Sequence, residues 1–388
     1  MAMPLDHSKT VPPSAEISYR ICGRCVMDTS DPDIRFDSDG NCNYCAHWLE
    51  RLQRETAAGN PALSLERLIA RIKAAGRGRE YDCVIGVSGG VDSTYTAWVV
   101  KHQGLRPLAL HLDNGWNSEL AVDNIRRVLE KLHIDLQTHV VDWEEFRDLQ
   151  RSFFKASVAN IEIPTDHAIN ALLNKAAASR GVKYIVTGGN IRGEGIYPRA
   201  WGWYNLDLRH LRDIHRRFGT RPLKTLPQIS LFSFGVNAVV RGIRTVPILN
   251  YLDYNKPEAM RFLERELGWR AYGGKHYESI FTRFFQGYIQ PNKFHIDKRR
   301  GHYSSLVAGG DLSRATALEE LSHSPYPDSR MQGEDMAFFL KKMEITREEF
   351  DRWMAEPPRA HTCYANNGWF FERAPALKRW AKRVALGA

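Results

Sequence analysis

The chain has 388 residues, 43% apolar and 26% charged, with a net charge of +9 at pH 7. That is an ordinary globular composition, long enough for two or three units, and no stretch reaches the roughly 20 apolar residues of a membrane span. The N-terminal MAMPLDHSKTVPPSAE has no apolar run of the secretory-leader type, so a cytoplasmic protein is expected. Basic residues gather at 209–221 and 293–300. They suit an anionic partner, either nucleic acid or a phosphorylated small molecule, or form a solvated basic surface.

Residues 1–19 read as a flexible arm. Cys22-Gly-Arg-Cys25 and Cys42-Asn-Tyr-Cys45 follow, with turn-forming Asp, Ser and Gly between them. Each CxxC pair can set two thiolates on one tetrahedral ion, and the two pairs close a structural zinc site, so a zinc ribbon is expected over 20–60. An iron–sulfur cluster on the same thiolates is the rival. Without a secretory leader, such crowding favours metal over disulfides. A site closed by four thiolates has no open position, and no catalysis is assigned to it.

From residue 61 to 246, apolar segments at 84–87, 108–112, 136–141 and 184–186 alternate with helical patterns at 63–75, 120–132 and 166–180. That alternation predicts an α/β fold with a doubly wound parallel sheet. Ligands of such sheets sit at the carboxyl ends of the strands. The rule selects Ser88–Ser93, Asp113-Asn114-Gly115 and Thr187-Gly188-Gly189-Asn190. In the first, Ser88-Gly89-Gly90-Val91-Asp92-Ser93 runs from strand through a glycine turn into a helix start. Glycines admit close backbone approach, and a helix N-terminus attracts phosphate. The pattern is neither GxxxxGK[ST] nor GxGxxG. Asp92 suits two compatible jobs, helix cap and ligand of phosphate-bound Mg²⁺.

Beyond Asn190 the periodicity breaks into a glycine- and aromatic-rich loop, Arg192 to Tyr204, suited to a sugar or base face or to core packing. A mainly helical C-terminal region is expected over 247–388. It holds GGKHYE at 273–278, FTRFF at 281–285 and DKRR at 297–300.

SGGVDS after a strand resembles the PP-loop of the N-type ATP pyrophosphatases. The resemblance implies that Ser88, Gly89, Gly90, Asp92 and Ser93 hold the pyrophosphate of ATP with Mg²⁺. It also implies that Asp113 contacts the adenosine and that Gly188 and Gly189 approach the ribose or α-phosphate. The order of the cysteine ribbon, PP-loop, Ile163-Pro-Thr-Asp166-His167, Thr187–Asn190 and GGKHYESIFTRFFQGYIQPNKFHIDKRR resembles the N-acetyl sugar amidotransferases of bacterial surface-polysaccharide (O-antigen) synthesis, the WbpG-like family, over roughly residues 20–355. That likeness implies adenylation of a sugar acetamido oxygen and its replacement by ammonia-derived nitrogen. A HisH-like glutaminase and a HisF-like ammonia-channelling protein are the implied partners, with a nucleotide-linked N-acetylated sugar as substrate. The catalytic candidates are Asp92, Asp166, His167, Lys275, Lys298 and Arg299. The three cations would balance phosphate charge or be surface groups. One of Asp166 and His167 would orient substrate or take a proton from ammonium, or the two would be a helix cap and its neighbour. A PP-loop tRNA-modifying (thiolation) enzyme is the alternative. No cysteine lies between Cys83 and Cys363, which leaves no evident place for sulfur transfer, so nucleic acid is not the expected partner.

Overall fold

The computed structural model describes residues 18–57, 60, 64–272, 277–326 and 328–373. At its centre is a five-stranded sheet in the order β3-β2-β1-β4-β5, parallel throughout. The strands are β1 (Cys83–Gly86), β2 (Pro107–Asp113), β3 (Asp135–Val140), β4 (Tyr184–Thr187) and β5 (Arg244–Pro247). Val84 of β1 registers with Leu108 on one side and Ile185 on the other.

The first four strands are the apolar runs expected from the sequence. β5 is an addition to them. Its Arg244 and Thr245 are exposed and only Val246 is buried, so it carries no apolar run. Pairing along β4 makes it a strand, an instance of tertiary context overriding local pattern. β5 also runs across the unit boundary expected at 246/247.

Helices α1 (Asn43–Glu55) and α2 (Leu65–Ala75) precede the sheet. Its crossovers use α3 (Val91–His102), α4 (Glu119–Leu132), α5 (Trp143–Ala156) and α6 (Ile163–Ser179). The long β4–β5 connection holds α7 (Ile191–Glu194), α8 (Leu208–Phe218) and α9 (Leu231–Val239), and α10 (Lys256–Leu267) follows β5. The C-terminal region is α11 (Ile280–Phe284), a π turn (Phe285–Ile289), α12 (Gln290–Phe294), α13 (Arg299–Gly309), α14 (Arg314–Ser322), α15 (Ser329–Met343) and α16 (Arg347–Ala355).

Side chains alternate across the pleat. Cys83, Ile85, Ala109 and Val186 enter a core with α2, α3, α4 and α10. Val84, Leu108, Leu110 and Ile185 enter the opposite core, which they share with α5, α6 and α8. Phe281, Phe284, Phe285, Phe339 and Phe350 of the C-terminal region belong to that second core, each at most 2% exposed. A third, smaller core joins the four cysteines to Trp48, Ile191, Ile196, Trp201 and Ile296.

Candidate active site

The glycine loop follows β1. Gly89 has φ +83, and a Cβ there would lie 2.6 Å from the Ala121 carbonyl oxygen, so glycine is required for conformation and for space. Its carbonyl accepts from Trp269 Nε1 at 2.8 Å and from the Tyr272 hydroxyl. The Ser93 hydroxyl donates to Gly90 O at 3.0 Å and accepts from the Ser88 N–H at 3.2 Å. Gly90 is the N-cap of α3 and supplies no side chain to cap it. The first-turn N–H groups of α3 are therefore offered to an external anion.

Asp92 is not the cap. It stands in the first turn, where one carboxylate oxygen accepts from the Tyr254 hydroxyl and the other from Lys256 Nζ at 3.2 Å. Burial, and then the Asp92 charge, raise the Tyr254 phenol well above its usual range, so it stays a donor. Neither Tyr254 nor Lys256 was legible as a site residue, because both lie beyond β5, far from the loop in sequence. A cleft of about 180 Å³, lined by Asn190, Arg192, Asn250 and Tyr254 among others, opens beside this pair.

Asp113, at the end of β2, accepts from the Gly115 N–H at 2.9 Å and shapes the turn after the strand. At Gly188 a Cβ would lie 2.6 Å from Asp92 O and 3.0 Å from Ser93 N. The close approach expected of this glycine toward the ribose or α-phosphate is made instead to the backbone of α3. At Gly189 the nearest atom to a Cβ is Thr187 Oγ1, at 3.8 Å, which leaves room for a ligand.

A second group of polar side chains gathers at the N-terminus of α6. That helix starts at Ile163 with Glu162 as its N-cap residue and a proline in the first turn, so Asp166 lies inside the helix and is not its cap. Thr165 Oγ1 accepts from Asn114 Nδ2 at 3.1 Å, which ties this helix end to the loop after β2. Glu162 accepts from Thr282 Oγ1 at 2.6 Å and Gln286 Nε2 at 3.1 Å, and faces Lys298 Nζ at 3.8 Å. Asp166 accepts from Asn205 Nδ2 at 3.0 Å. Asn205 Oδ1 is buried and has no partner among the described residues. Lys298 Nζ also lies 5.6 Å from the ring centre of Tyr197.

Burial, reinforced by the Glu162 charge, pushes the Asp166 carboxyl up to about 7. Burial opposes the charge on Lys298, but Glu162, Tyr197 and Asp166 overcome it and hold the ammonium above its ordinary value. Burial raises the Tyr197 phenol. The group thus combines a permanent cation, a neutral phenol and a carboxyl that exchanges its proton near neutrality. Glu162 and Asn205 escaped sequence reading, and Tyr197 was legible only as part of the aromatic loop suited to a sugar or base face or to core packing.

Two expected residues are placed otherwise. His167 is fully buried; its Nδ1–H donates to Asn205 O at 2.7 Å and its Nε2 accepts from the Ile229 N–H at 3.2 Å. Both ring nitrogens are used by the backbone, and burial lowers its pKa, so it is a neutral core histidine without a proton to exchange. Arg299 is spent within its own region: it pairs with Asp297 at 2.7 Å and donates to the carbonyls of Glu320 at 3.1 Å and His323 at 3.0 Å. Its guanidinium fork is occupied, which corrects its assignment to phosphate. Lys275 lies outside the described residues.

The four cysteines meet as the spacing requires. Their sulfurs lie within 4.8 Å of one another, with Cys22–Cys45 at 3.9 Å and Cys25–Cys42 at 3.7 Å. Bonds of about 2.3 Å to a tetrahedral ion would put sulfurs roughly 3.8 Å apart, so the group could hold one. The N–H groups of Cys25 and Cys42 point to Cys22 Sγ at 3.4 and 3.2 Å, the second-sphere bonds of a metal knuckle. The unit grips the site's own loop: Trp48 Nε1 donates to Ile191 O at 2.9 Å, and Arg51 donates to Gly195 O at 3.0 Å. Tyr197 follows two residues later.

The chain matches two family models. Residues 278–378 match "LPS biosynthesis protein WbpG-like, C-terminal domain"; this span includes Thr282, Gln286 and Lys298. Residues 82–190 match "Queuosine biosynthesis protein QueC", a PP-loop family, and include the glycine loop. Among curated proteins, GMP synthase (glutamine-hydrolyzing) of Pyrobaculum aerophilum is 29% identical over 106 residues, 27% of this chain and 20% of that protein. The tRNA-specific 2-thiouridylase MnmA of Escherichia coli is 32% identical over 126 residues, 28% of this chain and 33% of that protein. The chain therefore spans only a fifth to a third of the length of these relatives. Of solved structures, NMN synthetase from Francisella tularensis covers 55% of this chain and 89% of its own at 13% identity, with a TM-score of 0.29.

Proposed function

We propose that this chain, a PP-loop protein with a WbpG-like C-terminal domain, is an ATP-dependent amidotransferase acting on an N-acetylated sugar of bacterial surface polysaccharide (lipopolysaccharide O-antigen) synthesis. The observation that carries the reading is the joining of the two matched segments at one place. The WbpG-like segment supplies Thr282, Gln286 and Lys298 to the carboxylate pair Glu162 and Asp166, whose helix end abuts the loop after β2.

In this reading Ser88, Gly89, Gly90, Ser93 and the α3 N-terminus hold the pyrophosphate. Asp113 and Gly189 border the nucleoside. Asp92 would hold Mg²⁺ through the lone pairs left by Tyr254 and Lys256 or in exchange for Lys256, and the ion when bound would neutralise phosphate charge. The acetamido oxygen attacks the α-phosphorus, pyrophosphate leaves, and an O-adenylyl imidate forms. Ammonia then bonds to the imidate carbon and AMP departs with the former amide oxygen, leaving an acetamidino group. Lys298 offsets the charge that develops on the transferred phosphoryl group. Asp166, with a pKa of about 7, takes the proton from the attacking nitrogen. The four-cysteine unit holds structural zinc. Ammonia arrives from a HisH-like glutaminase through a HisF-like partner, in the cytoplasm. The unit divisions become 20–60 for the ribbon, 61 to about 267 for the nucleotide sheet with α10, and the rest for the acceptor region.

The tRNA-thiolation reading draws on the likeness to the thiouridylase. Against it, Cys83 is fully buried within β1, and Cys363 lies in a turn after α16. The test is pyrophosphate release from MgATP with ammonium and a panel of UDP-acetamido sugars, beside bulk tRNA. Sugar-dependent release with a product lighter by the difference between O and NH supports the proposal. Release driven by tRNA alone overturns it.

A further inference from the structure

Helix α9 leaves part of its apolar surface exposed. Its nine residues, LFSFGVNAV, carry no charge, and the one buried among them is the polar Asn237. Asn237 Oδ1 accepts from Arg241 at 3.0 Å, and its carbonyl accepts from the Ile243 N–H at 2.9 Å. Leu231, Phe234 and Val236 are half-buried, while the apolar side chains of Phe232, Val239 and Val240 turn outward. Phe232 is 81% exposed, Val239 84% and Val240 76%. Single exposed apolar residues need no explanation, but three on one uncharged helix and its end form a patch.

The surroundings are cationic. Arg209, Arg212 and Arg216, at helical spacing on α8, line a groove of about 510 Å³ together with Ser230 and Leu231 at the start of α9. The α8 acid, Asp213, is buried and already accepts from Arg216, Arg217 and the Ala365 N–H. The charge presented outward is therefore positive. Arg241 and Arg244, just beyond α9, are exposed as well. Neither the nucleotide loop nor the Glu162–Asp166 group uses any of these residues.

We propose that the α8–α9 face docks on a bilayer surface bearing anionic lipid headgroups. Apolar side chains enter the interface while neighbouring arginines meet the headgroups, the two signals that peripheral attachment requires. A second observation comes from the sequence alone. Between 377 and 386, Leu377, Trp380 and Val384 recur at spacings of three and four, interleaved with Lys378, Arg379, Lys382 and Arg383. That basic amphipathic pattern is the one read for membrane-surface segments. Charge also argues against a second copy as occupant, because pairing this face with itself would set arginine against arginine.

The experiment is flotation of the full chain with vesicles of phosphatidylcholine alone or mixed with phosphatidylglycerol, at low and high salt. Binding is expected only with phosphatidylglycerol, and salt should weaken it. Arg212→Gln with Arg216→Gln should lower partitioning by about fivefold per arginine. Phe232→Ser with Val239→Ser should lower it at unchanged circular dichroism. Absence of flotation with phosphatidylglycerol overturns the proposal, as does binding that neither pair of substitutions alters. Light scattering is run in parallel. A dimer that Phe232→Ser with Val239→Ser converts to monomer, without lipid binding, assigns the face to a second copy and overturns it too.

Discussion

Asp166 keeps its proton up to about pH 7 because burial and Glu162 disfavour its charge more than Lys298 and Asn205 favour it. A free aspartate titrates near 3.9. Between about pH 4 and about pH 7 the folded chain therefore binds the extra proton, and stability falls as pH rises through that window. Asp166→Asn should remove this slope, so that its Tm relative to the parent rises from pH 5 to pH 8 in scanning calorimetry. On the proposed mechanism the same variant should lose the limb of the rate that rises through pH 7. A limb that persists unchanged would take the proton-accepting role from Asp166. Glycines divide equally sharply. Gly188→Ala meets the α3 backbone at 2.6 Å, and overpacking of that kind costs about 1–3 kcal/mol. Gly189→Ala meets nothing closer than 3.8 Å. Thermal unfolding should show a clear drop in Tm for the first and none for the second.

At the scale of elements, the four cysteines do their work at a distance. They hold α1, and α1 holds the loop from Ile191 to Gly195 through Trp48 and Arg51. Val26 and Cys25 carbonyls are further tied to Arg300 and Arg314 of the C-terminal helices. Elemental analysis of the untreated protein should give one zinc per chain, and treatment with a chelator should therefore abolish pyrophosphate release and speed proteolysis near residues 190–204. Trp48→Ala should reproduce much of that effect with zinc retained, at the roughly 3–5 kcal/mol typical of a buried aromatic.

Elements also differ in how much of themselves the sequence displayed. β1, β2 and β4 were legible as apolar runs because both their faces are covered. β3 was legible although it is an edge strand with Leu136 42% and Val140 68% exposed. β5 was hidden because its only inward residue is Val246. The start of α6 was read three residues late, since Asp166 before an apolar stripe mimics a cap whereas Pro164 marks the true first turn. The glycine loop and the cysteine unit were plain because each is contiguous. The Glu162–Asp166–Lys298–Tyr197 group was only half visible, as its members converge from the α6 cap, the loop after α7 and the C-terminal region.

For the whole molecule, the two matched segments have one core. Aromatic residues of α11, the π turn, α15 and α16 pack among the side chains of β1, β2 and β4. Backbone bonds reinforce this: the Ser118 N–H donates to Glu278 O at 2.9 Å, and the Ile280 N–H to Trp116 O at 3.0 Å. Within the C-terminal segment Arg283 pairs with Asp335 at 2.6 Å, and the Tyr326 hydroxyl donates to the same carboxylate at 2.8 Å. Calorimetry should therefore show one cooperative transition. A chain ending at residue 277 should fail to give a sharp transition at all, and two independent transitions would contradict a common core. Phe339→Ala, in the middle of that core, should lower Tm and the nucleotide-dependent activity together.

That common core also bears on how such a protein can change its substrate. A detachable recognition domain can be exchanged as a cassette, its neighbour left intact. Here the half that would choose the acceptor is part of the other half's interior. A graft from a distant homologue would have to carry its own matching ring of phenylalanines, or leave the nucleotide sheet uncovered. Acceptor preference is then altered most readily by single changes at the rim, around Tyr197, Asn205 and Gln286, with the scaffold inherited as one piece.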